Sequence, residues 1–476
     1  MNKLNFIKTV VLFLFLATGY ENLKAQDTFY QYFDGGANDV GSYVSGTSDG
    51  GFIITGKTTS FGNGDFDVWL IRTDASGNAM WKKSYGGMAD DEGVCVQPAA
   101  DGGFIVAANS VNPGHFNQGW IFKTNSEGNI DWEYKFGGND PGDGASFVLP
   151  DGDGNYLVSG TIGMRSLVLK LDESGQLVWS QQYFSNNNSI TSSICVIHDT
   201  LYAVSGDFEF PAVNGSWYPD LFWIQSNGEL VTQITWTDYP GGKTSFVSSC
   251  NDGGVLMGGQ WNDDKPSLIR IGGQNNYAWE YSFPLSESEG AMMGSVQFDD
   301  NTFLTAGDWF SAAMIGINDS GEQLWSKYGR LNNDYIYFTG VQKIDDNHVI
   351  FTGYRNEEGY DHDVILVKAT RDGSLTGFDN SQWKKSGTFM KSAPNPFSEQ
   401  TTFTFSLPEA GFVNLTITDI SGREIKTIAS QNLPQGEHQF IWNGLNDNGE
   451  PCAAGTYFAT LKLDSGFMQS VKLVKR

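Results

Sequence analysis

The stretch Asp49–Gly87, DGGFIITGKTTSFGNGDFDVWLIRTDASGNAMWKKSYGG, decides how the rest of the chain is read. It contains two apolar runs. The first is opened by Asp49-Gly50-Gly51, and the second closes on Asp74, followed by Gly77 and Trp81. Its pattern returns along most of the sequence, and self-similarity at a fixed period points to a repeat architecture before any other feature is weighed. Alignment on the residue that opens the first apolar run gives Phe52, Phe104, Tyr156, Tyr202, Val255, Phe303 and Val349, at spacings of 52, 52, 46, 53, 48 and 46. Four residues after each lies a small residue: Gly56, Ala108, Gly160, Gly206, Gly259, Gly307 and Gly353.

Each unit reads as four short strands between glycine-rich turns; in the first these are Gly41–Gly46, Gly51–Lys57, Asp67–Thr73 and Asn78–Tyr85. Four antiparallel strands at nearly the period of a kelch blade cannot bury both faces alone, so the expected fold is all-β, a seven-bladed β-propeller. The Trp81 position recurs as Trp132, Trp179, Trp279 and Trp325, with Trp236 in a shifted frame. A ligand does not need the same residue on every blade, so these indoles are assigned to packing between blades. The seventh unit has no room for a fourth strand after Gly373. Phe29-Tyr30-Gln31-Tyr32-Phe33 has the aromatic spacing of Trp81 and Tyr85, and the N-terminal strand is therefore predicted to close the ring.

Composition supports this class. The chain has 476 residues, 58 of them Gly, with 14% aromatic and 18% charged residues, a turn-dense pattern unlike that of a disordered chain. The formal charge is −26, held by residues 26–392, which excludes nucleic acid as a natural partner. Lys3 and Lys8 around the apolar run Val10–Ala17, with a small residue at Ala25, read as a secretory signal peptide over 1–25; no other segment is long enough to span a membrane. Cys95, Cys195, Cys250 and Cys452 have no metal-type spacing; Cys195 and Cys250 fall in adjacent repeats, where a disulfide and buried thiols are both open.

The run Trp69-Leu70-Ile71-Arg72-Thr73-Asp74, Gly77, Trp81 and Tyr85-Gly86-Gly87 resembles the bacterial seven-bladed β-propeller repeat family, over about residues 28–378. The Asp-x-x-Gly-x-x-x-Trp segment is also similar to the tryptophan-docking motif of quinoprotein propellers, with a spacing that differs by one residue. Composition changes after a basic segment at 381–392. Residues 393–476 carry Pro394-Asn395-Pro396, the Gly422-Arg423 turn, the Gly455-x-Tyr457 strand and a basic end with Lys472 and Lys475. In that order they resemble the type A C-terminal sorting domain of type IX secretion, an Ig-like sandwich. The expected organisation is a signal peptide at 1–25, a propeller at 26–380, a linker at 381–392 and a sorting domain at 393–476. The resemblance implies a Bacteroidetes-type protein, the type IX secretion machinery as partner, and a secreted or outer cell-surface location.

Catalytic patterns are scarce. His115, His198, His348, His362 and His438 make no metal or triad spacing, and His115 and His362 read as solvated loop residues. No cofactor is expected. Calcium is the one ion suggested, by Asp151-Gly152-Asp153-Gly154-Asn155 and Asn63-Gly64-Asp65-Phe66-Asp67, segments that also suit plain turns. The candidate ligand site is where later repeats depart from the first: Trp217, Trp261, Trp309, Phe310 and Tyr354, beside Asp39, Asp90 and Asp143 of the loops between blades. Aromatics next to carboxylates suit a sugar. The expected function is therefore a non-catalytic module binding a glycan or protein ligand, the alternative being a glycan hydrolase or lyase with its acids at the channel mouth.

Overall fold

The computed structural model describes residues 28–476 except 112–115, 185–186, 199, 211–215, 262–264, 274–275, 283–289, 310, 330–334, 357–360, 376–382, 385–389, 408–409, 421 and 464–467. The signal-peptide segment, His115 and Phe310 lie outside the described residues.

Seven antiparallel sheets of the propeller type follow one another along the chain. Blade one comprises Asp39–Gly46, Phe52–Thr58, Asp67–Thr73 and Ala79–Tyr85, paired in that order. All seven alignment residues sit at or next to the start of a second strand, from Phe52–Thr58 in blade one to His348–Asn356 in blade seven. The first strands of successive blades touch around the whole circle, so they line the axis.

The small residue four positions on has a specific cause. Every first strand carries a β-bulge, at Gly41/Tyr43 in blade one and at Phe338/Gly340 in blade seven, and the residue opposite each bulge is the small one: Gly56, Ala108, Gly160, Gly206, Gly259, Gly307 or Gly353. A bulge brings the two backbones together and increases local twist. A Cβ on Gly56 would run into the Val40 carbonyl, and one on Gly353 into that of Tyr337.

Blade seven pairs Tyr335–Lys343, His348–Asn356 and His362–Thr370 with the N-terminal strand Phe29–Phe33. The register is that of the template: Phe29 lies opposite Lys368 as Trp81 lies opposite Arg72, and Phe33 opposite Val364 as Tyr85 lies opposite Val68. Phe29 and Phe33 are buried in a core shared with Phe52, Trp69, Ile350 and Leu366. The expected ring closure is thus the observed one. Within the segment read as a linker, Trp383–Lys384 adds a fifth strand to the outer edge of blade six, opposite Tyr328 and Gly329.

The C-terminal unit is an Ig-like sandwich. One sheet orders Lys391–Ala393, Thr401–Leu407 and Gly436–Trp442; the other orders Glu424–Leu433, Gly411–Asp419, Gly455–Leu463 and Met468–Lys475. Alternation along these strands turns Phe403, Phe405, Val413, Leu415, Ile417, Ala459 and Leu461 into one core around Trp442.

Phe29→Ala removes a ring that is 3% exposed and is expected to lower stability by about 3–5 kcal/mol in chemical denaturation. Deletion of residues 26–33 should depress the melting temperature further still, and an unchanged melting temperature would overturn the closure of the ring by this strand.

Candidate functional site

Two faces of the propeller bring unusual residues together: the face of loops between second and third strands, and the opposite face of tight turns. On the loop face the carboxylates are already engaged. Asp39 is fully buried; it accepts the Gly35 N–H at 2.8 Å, the Thr58 hydroxyl at 2.5 Å and the Ser60 hydroxyl at 3.0 Å. Asp143, 1% exposed, accepts the backbone N–H groups of Asn139 and Asp140 and that of Gly163 at 2.7 Å. The counterpart of these two in blade two is Asp91, not Asp90: Asp91 is buried and takes the Gly87 N–H at 2.7 Å, while Asp90 is exposed and accepts the Phe66 N–H. Asp39, Asp91 and Asp143 thereby hold the loops that precede the first strands of blades one, two and three.

The same layer joins neighbouring blades. Asp67 of blade one and Asp91 of blade two both approach Gly86, and burial with the Asp91 charge nearby raises the pKa of Asp67. Between blades seven and one, Asp363 is paired with Arg355 at 2.7 Å, and Asp34, Asp39 and Asp363 bring carboxylate oxygens within 4.8 Å of one another. Between blades three and four the Ser189 hydroxyl accepts the Ser166 N–H at 3.0 Å. Of the calcium-like segments, Asp151–Asn155 is the turn between the first two strands of blade three, where the Asp151 carboxylate is taken by Lys170 at 2.5 Å and by the Tyr202 hydroxyl. In the other, Asp67 accepts the Asn63 N–H at 3.1 Å.

The candidate aromatic residues fall on four successive blades. Trp261 is 1% exposed, packed between blades four and five against Gly242 and within a core with Trp223 and Val255, so it offers no stacking face. Trp217 is half-buried in blade four, Trp309 ends the second strand of blade six, and Tyr354 belongs to blade seven. There Tyr354 stacks on Tyr337 with ring centroids 4.8 Å apart and meets His362 at the same distance. His362 therefore starts a strand, half-buried with its pKa lowered by that burial, and is not a solvated loop residue. At the axis, Tyr43 of blade one meets Phe147 of blade three edge-on at 5.3 Å, so aromatic rings cross the channel.

On the turn face one device repeats. The outer-strand aromatic of each blade lies on the turn between the third and fourth strands of the next: Trp81 on Gly128, Trp132 on Gly175, Trp179 on Gly228, Trp279 on Gly321, Trp325 on Gly373 and Phe29 on Gly77. All six glycines have φ between 70° and 85°, the left-handed region where a missing Cβ leaves the ring its seat. The indole N–H groups of Trp81, Trp132 and Trp279 donate to the carbonyls of Ser126, Glu173 and Asp319 at 2.9–3.1 Å. Tyr85 and Tyr183 add hydroxyl bonds to the Gly128 and Gly228 carbonyls. Behind Trp81, Trp132 and Trp279 sits a buried base tied to the Asp of the Asp-Gly-Gly turn: Arg72 to Asp49 at 2.6 Å, Lys123 to Asp101, and Arg270 to Asp252 at 2.5 Å.

Blade four departs from this. The residue in the Trp81 position is Thr232, and the position of Arg72 holds Trp223. Trp236, expected to supply the indole in a shifted frame, lies in the turn beyond the outer strand, its backbone N–H bonded to the Pro219 carbonyl. The next blade also presents Val255, as blade seven presents Val349, where the other five present an aromatic ring. A cleft of about 550 Å³ opens there, lined by Ile197, His198, Leu201 and Trp223 of blade four and by Asp252, Gly253 and Gly273 of blade five. Cys195 and Cys250, free and buried, stand two residues before Ile197 and Asp252, and burial pushes the Cys250 thiol up to about 12.

Blade four also buries two acids. Asp207 bonds the Thr244 N–H of blade five at 2.9 Å, and Asp220 accepts from Gln233 and Thr235 within its own blade. Cross-strand pairing sets Asp207 opposite Pro219 and Asp220 opposite Gly206, so the two face opposite sides of the sheet and form no acid–base pair. Desolvation raises each pKa from 3.8 to about 7.

In the C-terminal unit the motif residues are architectural. Asn395 bonds one edge of the last strand, donating to the Lys472 carbonyl at 2.7 Å and accepting the Val474 N–H at 2.9 Å. Between the prolines and that strand, Phe397 bridges Lys475 in parallel. Gly422 turns with φ 80°, Arg423 pairs with Asp419, and the Tyr457 hydroxyl reaches the Ala453 carbonyl at 2.8 Å.

The acids of blade four fix a pH dependence. Near pH 3 the folded and unfolded forms both carry the protons. From about pH 4 to 7 the unfolded chain loses them while the folded chain keeps them, so their contribution falls by a few kcal/mol as pH rises. Asp220→Asn, which preserves the acceptor oxygen, should raise the melting temperature at pH 8 and leave it nearly unchanged at pH 4; equal effects at both pH values would contradict this.

Residues 393–466 match the FlgD Ig-like domain family. No curated protein matches the chain. Among solved structures, a protein of unknown function from Bacteroides caccae is 12% identical, with a TM-score of 0.39 over 61% of this chain and 93% of that one. The extracellular domain of the putative hybrid two-component system BT3049 from B. thetaiotaomicron is 11% identical, with a TM-score of 0.47; 94% of this chain covers 57% of that one. PorZ, a surface component of the type IX secretion system of Porphyromonas gingivalis, is 9% identical with a TM-score of 0.25 over 92% and 81% of the two chains.

Proposed function

We propose that the chain is a secreted or cell-surface recognition module, exported through type IX secretion, whose propeller binds a ligand without transforming it. The observation that supports recognition over catalysis is the fate of the loop-face acids. A glycan hydrolase or lyase needs one carboxyl free to protonate a leaving group and a second near the scissile bond. Asp39 and Asp143 instead spend their oxygens on backbone N–H groups and hydroxyls of their own loops. Removing those bonds would unfold the loops that hold them.

Export rests on the two ends of the chain. The N-terminal pattern is that of a signal peptide, and the C-terminal sandwich carries the sorting-type residues in order, with Lys472 and Lys475 on its last strand. In this reading the basic end and the Pro394-Asn395-Pro396 segment form one continuous surface, since Asn395 and Phe397 are laced to that strand. The machinery would thus meet a folded domain, not a linear tag.

Production of the full chain and of a form ending at residue 392 in a host that possesses the secretion system tests this. The full chain should reach the surface or the medium, and the shortened form should accumulate in the periplasm with its propeller folded. Equal export of both forms would overturn the assignment.

A further inference from the structure

We propose that the junction of blades one and two is a site for a hard divalent cation, calcium in particular, held between the carboxylates of Asp67 and Asp91. The ion would fasten the two blades to each other on the loop face.

The two acids come from different blades and meet over one glycine. Asp67 opens the third strand of blade one and Asp91 the first strand of blade two, and they are 2% and 1% exposed. A Cβ on Gly86 would fall within 2.5 Å of both Asp67 Oδ1 and Asp91 Oδ2, so the missing side chain leaves the two carboxylates facing one space. Asp67 Oδ2 accepts the Asn63 N–H, and Asp91 Oδ2 accepts that of Gly87. Asp91 Oδ1 is buried and has no hydrogen-bond partner. Two like charges side by side and an unsatisfied oxygen are each costly out of water, and one cation relieves both.

The neighbouring junctions show what is missing here. In blade seven Asp363 has the position of Asp67 and lies within 4.8 Å of Asp39, and Arg355, its cross-strand partner, supplies a positive charge at 2.7 Å. The cross-strand partner of Asp67 is Thr58, which gives its hydroxyl to Asp39 instead. In blade two the position of Asp67 is taken by Gln118, so Asp143 of the next blade has no carboxylate as its counterpart. Among the described residues no base pairs with Asp67 or Asp91, and Lys57, beside Thr58, is bound to Glu92 at 3.2 Å. The protein neutralises the acid pair at one junction and avoids it at another; between blades one and two it does neither.

The donor set selects the ion. It is all oxygen, without imidazole or thiolate, which suits a hard cation and not zinc or copper. Two carboxylates match the charge of a divalent ion. The Gly87 and Met88 carbonyls stand 2.9 and 2.8 Å from the place of a Cβ on Gly64, in the loop that leads to Asp67, and are the candidates for further ligands. Groups drawn from two blades make an irregular shell, which calcium accepts and magnesium, with its strict octahedron, does not. The segment Asn63–Asp67 therefore contributes through its last residue, and the second acid comes from the next blade and not from the alternation within the segment.

The test is isothermal titration calorimetry of the mature full chain, stripped with EDTA, with calcium chloride and separately magnesium chloride at physiological ionic strength, together with melting temperatures in EDTA and in excess calcium. Wild type should show a saturable calcium site at least tenfold tighter than any for magnesium, and calcium should raise its melting temperature. Asp67→Asn and Asp91→Asn keep the oxygens that accept the Asn63 and Gly87 N–H groups and should each weaken calcium binding at least tenfold. Asp67→Asn should also raise the melting temperature in EDTA, because the like-charge pair is gone, and lose the rise that calcium gives. Asp34→Asn, between blades seven and one, and Asp153→Asn, in the other calcium-like segment, should bind as wild type does. Each of the two site variants serves where the other misfolds. No saturable site in the wild type, undiminished binding in either folded site variant, or loss of binding in Asp34→Asn or Asp153→Asn would overturn the site.

Discussion

The ring is held by an aromatic side chain of one blade resting on a glycine turn of the next. A four-stranded sheet has two apolar faces and cannot stand alone, so each blade depends on its neighbours for burial. Pure hydrophobic contact would permit sliding. The seat of Trp81 does not, because its N–H must find the Ser126 carbonyl while its ring sits over Gly128, where a Cβ would lie 2.9 Å from the indole. The register between blades is thus set by a hydrogen bond and a steric vacancy acting together. Phe29 makes the same contact with Gly77 without the hydrogen bond, which is why a strand from the far end of the chain can take the seventh place.

A second constraint acts inside each blade. The bulge in every first strand adds twist near the axis, where seven strands must fit around a narrow channel, and it demands a residue without bulk opposite. Six of those positions are glycine and one is Ala108. Bulge and indole seat lie at the inner and outer ends of the sheet. The first sets how sharply a blade coils, the second how it meets the next.

These requirements explain what the sequence made legible. Small residues at a fixed offset and tryptophans at a fixed offset are visible because a ring geometry asks for them again and again, and Phe29 with Phe33 could be matched to Trp81 with Tyr85 for the same reason. The loop-face acids were not legible. An aspartate that caps its own loop and one that faces a ligand have the same neighbours in sequence, and only the buried N–H groups around Asp39 and Asp143 separate them. Trp261 misled likewise: it breaks the repeat, yet it breaks it by filling the gap above Gly242 and Pro219 between two blades. The departure of blade four was signalled by the absence of a tryptophan at Thr232. It was masked by Trp236 four residues on, because a count of indoles cannot tell a strand from the turn after it.

Blade four concentrates the departures: an indole moved inward to Trp223, two buried acids, a turn without Asp-Gly-Gly, and a junction lacking its ring pair. Asp207 bonds blade five through the Thr244 N–H, and its protonated form is the less costly one to bury. As pH rises toward 8, ionisation strengthens the Thr244 bond but leaves a charge buried, so the junction that lacks the aromatic lock also carries an acid whose burial grows costlier with pH.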